Sequence, residues 1–161
     1  MKDIAMTEKK NKRSDVQAKQ AFVKELETRG FQARVTGAPA DITATRDGET
    51  WFFEIKMTHR TDRYFGAATM TEWKQALKDS AHYRFVVVKA DETDTVFNFK
   101  EYSVEEFMQY STIPPFKVYF NVPVDGSDAP LRKRRGETRA VLLTKEGFNK
   151  LMECYESLKD A

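Results

Sequence analysis

The chain has 161 residues, 40% of them hydrophobic and 32% charged, with 27 basic and 25 acidic side chains giving a net charge of +2. This length buries a full core in one domain without staples, and the small net charge does not by itself point to nucleic acid. No stretch approaches the ~20 apolar residues of a membrane helix. The basic N-terminus lacks the apolar segment of a secretory signal. A single cysteine, Cys154, excludes an intramolecular disulfide and fits a reducing, cytoplasmic setting. Two histidines, His59 and His82, and one cysteine cannot build a tetrahedral zinc site alone, so any metal here would be a hard one held by oxygen.

In chain order, residues 1–13 are polar and basic without a period, and the expectation is a disordered basic tail. A core domain is expected over 14–124, a basic loop over 125–139, and a C-terminal strand and helix over 140–161, packed on the core. "SDVQ" predicts a helix start, with Ser14 as N-cap and Gln17 completing a capping box. Phe22, Val23 and Leu26 form its apolar stripe, and Gly30 ends it. A strand follows near Phe31 to Val35, then a turn at "TGAP" and a hairpin split at Asp47-Gly48.

After the polar loop "THRTDRYFGAA", a helix starts at Thr69 or Thr71, with Thr69 and Glu72 as a second capping box. "YRFVVVKAD" reads as a central strand buried on both faces, and "TVFNFKEY" alternates as an outer strand. Ser103 and Glu106 cap a short helix, and "PPFKVYFNVPV" is a strand with prolines at its ends. "RAVLL" is a last short strand. Thr144 caps a final helix whose Phe148, Leu151, Met152, Tyr155 and Leu158 share a face. The order predicts an α/β (α+β) fold, a mixed central sheet flanked by helices.

The hairpin "PADITATRDGETWFFEIKM" carries the chemistry. A two-residue turn at Asp47-Gly48 sets Arg46 against Glu49 and, counting outward, Asp41 against Glu54. Facing residues lie about 4.5–5.5 Å apart at Cβ, and Lys56 shares the face of Glu54 by strand alternation. Phe53 and Ile55 point to the other face. Two carboxylates so close repel unless something offsets them, and a divalent cation taking oxygen ligands would do so. Lys56 beside them would act on a bound phosphate or an attacking water. The plainer reading is a solvated Asp41 and an edge ion pair between Lys56 and Glu54.

At these residues the chain resembles the PD-(D/E)xK nuclease superfamily. "PAD" (Pro39 to Asp41) is similar to its Pro-Asp, and "EIK" (Glu54 to Lys56) to its (D/E)-x-K. The arrangement from the first helix through "EIKM" is similar to Holliday-junction resolvases and restriction-type nucleases. A more local resemblance is to the C-terminal domain of NO VEIN proteins, carried by "EIKMTHR", "TMTEWKQA" and "HYRFVVVKA" and covering roughly Ser14 to Ala90.

The resemblance implies a restriction-endonuclease-like core with a C-terminal strand–helix extension, and Mg²⁺ or Mn²⁺ held by Asp41, Glu54 and the Ile55 carbonyl. Lys56 would assist the attacking water. Gln75 matches a supporting glutamine, or is a solvent-facing helix residue. The glutamate that such nucleases often carry on the first helix is missing: Lys19 and Gln20 stand there instead. Lys19 would weaken metal affinity or bind phosphate, and Asp15 either substitutes as a carboxylate or favours the helix N-terminus.

The leading expectation is thus a metal-dependent endonuclease acting on DNA, with RNA as an alternative substrate, no membrane partner, and a homodimer as a compatible assembly. Backbone contacts would come from Lys19, His59, Arg60 and Arg63 and from the run Arg132, Lys133, Arg134 and Arg135. Two other readings stand beside it: a catalytically silent binding module on the same fold, and a protein-interaction domain using the C-terminal helix.

Overall fold

The structure, a computed structural model, describes residues 2–112 and 145–159. The chain divides into two compact units, the first ending at Thr112. In the first unit a long helix α1 (Lys2–Thr28) precedes β1 (Gln32–Val35), β2 (Ile42–Arg46) and β3 (Glu49–Thr58). Then come α2 (Met70–Lys78), β4 (Tyr83–Ala90), β5 (Phe97–Tyr102) and α3 (Val104–Gln109). The second unit contributes α4 (Lys145–Lys159), in which Leu151 and Tyr155 are half-buried and Met152 and Leu158 exposed. The expected strands, prolines and "RKRR" run between 113 and 144, and the Thr144 cap, lie outside the described residues.

The five strands form one sheet in the order β1-β2-β3-β4-β5. All neighbours are antiparallel except β3 and β4, which run parallel, so the sheet is mixed. A parallel pair needs a crossover, and α2 supplies it. The fold is α+β, with helices on both faces of the sheet. One face buries Phe53, Ile55, Ile42, Val86 and Val88 against Phe22 and Leu26 of α1. The other packs Tyr83 and Phe85 against Ala76 and Trp73 of α2 and Val104 and Phe107 of α3. Phe85 and Phe107 stack with centroids 4.2 Å apart. β4 is the strand buried from both sides, as its apolar run predicts.

The hairpin register is the one that Asp47-Gly48 dictates: Arg46 pairs with Glu49, Thr45 with Thr50 and Ile42 with Phe53. Both turn residues have positive φ, 54° and 81°, a type I′ turn whose twist matches the strands. Both predicted capping boxes form, Thr69 with Glu72 and Ser103 with Glu106.

The first helix departs from expectation. α1 runs from Lys2 through the residues expected as a tail, so Ser14 is interior and not an N-cap. It is buried, and its hydroxyl donates to Asp94 Oδ2 at 2.5 Å. The polar stretch before Ser14 has no apolar period to signal a helix, but Lys, Glu, Ala and Met are good helix formers.

Candidate active site

Asp41 sits one residue before β2, on a turn pinned from both sides. Thr36 N–H donates to Asp41 O at 2.9 Å, and the Thr36 hydroxyl donates to Ala40 O at 3.0 Å. The ladder with β3 ends at Ile42 and Phe53, and there the Asp41 side chain replaces a main-chain acceptor: Ile55 N–H donates to Asp41 Oδ2 at 3.0 Å. Within a strand residue the N–H and C=O point to the same side, so the Ile55 carbonyl also faces the Asp41 side.

Glu54 and Lys56 project to the α2 face. Lys56 Nζ donates to Glu54 Oε1 at 3.2 Å and to Glu72 Oε2 at 2.7 Å. Glu72 Oε2 also accepts Thr69 N–H at 2.9 Å, so the capping glutamate of α2 holds the lysine of β3. On the far side, Lys19 of α1 reaches Asp41 Oδ1 and Asp15 Oδ2, both at 2.8 Å. Asp15 is mid-helix, which removes the helix-N-terminus reading, and it serves to hold Lys19.

The charges of this cluster are unequal. Among the described residues Asp15, Asp41, Glu54 and Glu72 pair with Lys19 and Lys56 alone, so the cluster carries two negative charges in excess when Glu54 is ionised and one when it is protonated. Glu54 shows the consequence. It is 7% exposed, and burial, followed by the charge of Asp41, raises its pKa from 4.5 to about 7, against the opposing pull of Lys56. Burial raises the Glu72 carboxyl, but the Lys56 and Thr69 hydrogen bonds outweigh it and the net shift is downward. Burial opposes charge on both lysines, and their carboxylate partners more than reverse it, so both pKa values are raised. Lys56 is therefore held as an ammonium ion.

Tyr83, the first residue of β4, is buried within the electrostatic reach of these carboxylates. It is 1% exposed, and its hydroxyl has no hydrogen-bond partner among the described residues. Burial, and then Glu54, Glu72 and Asp41, raise its pKa. With Pro39, Phe52, Gln75, Lys78 and Asp79 it lines a cavity of about 400 Å³.

The hairpin trio of Asp41, Glu54 and Lys56 is thus brought together around Ile55. Gln75 lines the cavity by Tyr83, without a hydrogen bond to the carboxylates among the described residues. Lys19 is committed to Asp15 and Asp41 and is not a free phosphate contact. His59 turns to Asp94, with Nε2 2.6 Å from Oδ1. Arg60 and Arg63 are exposed, and Arg132 to Arg135 lie outside the described residues. Sequence reasoning assigned Glu72 only its capping role. The signal for more was its place in "TMTEW", at the start of the helix that follows β3. Tyr83 was legible only as the start of an apolar strand.

The family described as Protein NO VEIN, C-terminal matches residues 5–100, well over half of the chain. The chain belongs to this family. The matched NO VEIN C-terminal segment holds every residue of the cluster, from Asp15 on α1 to Tyr83 on β4. No curated protein and no solved structure matches the chain.

Proposed function

We propose that this NO VEIN C-terminal domain is a divalent-cation-dependent endonuclease of PD-(D/E)xK type that hydrolyses phosphodiester bonds in DNA. The observation that carries the proposal is the pinning of Asp41 onto the backbone of Ile55, beside a Glu54 whose pKa is driven to about 7. Glu54 is a buried carboxyl held near Asp41 and Glu72, an arrangement that costs the fold stability once Glu54 ionises, and carboxyls perturbed in this way mark functional sites.

The donor set suits Mg²⁺ or Mn²⁺: hard oxygens from Asp41 and Glu54, with the Ile55 carbonyl on the same side and no sulfur or imidazole. No group of three or more His, Cys, Asp or Glu forms a ready-made metal shell among the described residues. Substrate phosphate oxygens and water would complete the coordination. A bound cation would supply a water of lowered pKa and offset charge on the phosphate.

The chain's own groups do the rest. Asp41 stays fixed by Ile55 N–H. Lys56, kept protonated by Glu72 and Glu54, cannot act as a base; it stabilises the negative charge that builds on the phosphoryl oxygens. Glu72 sets the position of Lys56 from the first turn of α2.

The test is nicking of supercoiled plasmid in Mg²⁺ or Mn²⁺ by the wild-type chain, Asp41→Asn, Glu54→Gln and Lys56→Ala. Loss of cleavage by about 10² or more in each variant is expected, since each removes transition-state charge stabilisation. Equal cleavage by all four chains would assign the activity to a contaminant. One observation favours a second reading, a catalytically silent DNA-binding module: Lys19 already neutralises Asp41 at 2.8 Å. In that case no chain cleaves, yet DNA is retained in a salt-dependent way.

A further inference from the structure

Between the catalytic strand and α2 lies an exposed loop, Arg60 to Ala67. One end is fastened where Arg60 N–H donates to Thr58 Oγ1 at 3.1 Å, at the end of β3. The other ends in the Thr69 cap, whose partner Glu72 holds Lys56. At its tip Phe65 is 96% exposed. A lone exposed apolar side chain is ordinary on a protein surface. This one is set up by its neighbours. A methyl group at Gly66 would lie 2.7 Å from Cζ and Oη of Tyr64, so the Tyr64 ring is folded back over the backbone of residue 66. Tyr64 is 38% exposed while Phe65, between them, stands out in water.

Arg60 and Arg63 precede this ring on the same loop, and neither guanidinium is ion-paired among the described residues. Asp62 is the only acidic side chain between Arg60 and Thr69. Free guanidinium groups beside a projecting aromatic ring are complementary to one chemistry in particular: a phosphate backbone carrying a base whose face is open. In a duplex those faces are covered by stacking, and only unpaired nucleotides offer them.

We propose that Phe65 is a base-stacking residue and that this loop selects unpaired DNA, feeding it to the cluster at the loop's feet. Arg60 and Arg63 bind the phosphates on either side of the stacked base. The choice of DNA rests on the nuclease reading above; the preference for open base faces does not.

The test is binding of the full chain in EDTA, which removes cleavage from the readout, to a labelled single-stranded oligonucleotide and to the same sequence as a blunt duplex. Wild type is expected to bind the single strand more tightly. Phe65→Ala should raise its Kd about tenfold, in line with base–aromatic stacking, and leave duplex binding unchanged. Phe65→Trp should restore it. Arg60→Ala and Arg63→Ala should weaken both substrates and each lower the salt slope by roughly 1. Because Phe65 is almost fully exposed, its removal does not threaten folding.

Equal binding by wild type and Phe65→Ala overturns the inference, as does an equal loss on both substrates. Absence of DNA binding altogether overturns it too, and leaves the ring to a protein partner. The two proposals fail separately. Binding that depends on Phe65 with no cleavage in Mg²⁺ or Mn²⁺ sinks the nuclease alone; cleavage with binding indifferent to Phe65 sinks this inference alone.

Discussion

At Glu54, burial and the charge of Asp41 act in the same direction, and Lys56 only partly answers them. The native state therefore holds a proton on this carboxyl up to about pH 7, whereas the unfolded chain releases it near 4.5. Between those values the native state binds more protons than the unfolded one, so this residue makes stability fall as pH rises. Glu54→Gln removes that liability while keeping the shape. Its Tm relative to wild type should climb between about pH 5 and about pH 8, by roughly 3 °C or more, since ~1 kcal/mol moves Tm by about 2–8 °C in domains of this range. Thermal melts at the two pH values measure it, and a pH-independent difference would mean that Glu54 titrates normally. The position of Glu54 was legible because a two-residue turn and strand alternation leave no freedom in the register. Its pKa was not, because that depends on how deeply α2 and β4 cover it.

The two capping boxes allow a comparison at the level of elements. Thr69 caps α2 and Ser103 caps α3 with the same reciprocal bonds. Local sequence sufficed for both, because a capping box closes within four residues. What it could not supply was the second partner of Glu72, which needs β3 beside the start of α2. That difference predicts different consequences. Thr69→Ala and Ser103→Ala should each cost about 1 kcal/mol of stability. Only Thr69→Ala should also impair plasmid cleavage, by loosening the carboxylate that positions Lys56; Ser103→Ala, on an element without a site residue, should cleave as wild type. Melts and cleavage rates of the two variants check this. Equal activity in both would detach Glu72 from the chemistry. For α1 the local signals were misleading. Ser14 and Gln17 satisfy a capping pattern, yet the helix runs on upstream and the buried Ser14 hydroxyl serves Asp94 on the β4–β5 connection.

Across the whole first unit, three elements approach one point: α1 brings Asp15 and Lys19, the hairpin brings Asp41, Glu54 and Lys56, and α2 brings Glu72. The mixed sheet and its flanking helices were legible from hydrophobic runs. The balance of charge at their meeting point was not, since it is the sum of contacts among residues that run from Asp15 to Glu72 in the chain. With Glu54 ionised, the two negative charges in excess would make the folded state a better cation ligand than the unfolded chain, which disperses the same carboxylates. A divalent cation bound there would, by linkage, stabilise the fold by about 2.7 kcal/mol at a hundred times its Kd and so raise Tm. The rise should exceed that produced by NaCl at equal ionic strength, which only screens. Asp41→Asn should abolish it. Lys19→Ala should enlarge it, because the ammonium bound to Asp41 competes for the same oxygen. Melts of the three chains in Mg²⁺, Mn²⁺ and matched NaCl decide the matter. If Mg²⁺ and NaCl act alike on all three, Lys19 and Lys56 are the cations this site uses, and the silent module is the correct reading of Asp41, Glu54 and Lys56; if Lys19→Ala alone responds, Lys19 is the residue that turned the site off.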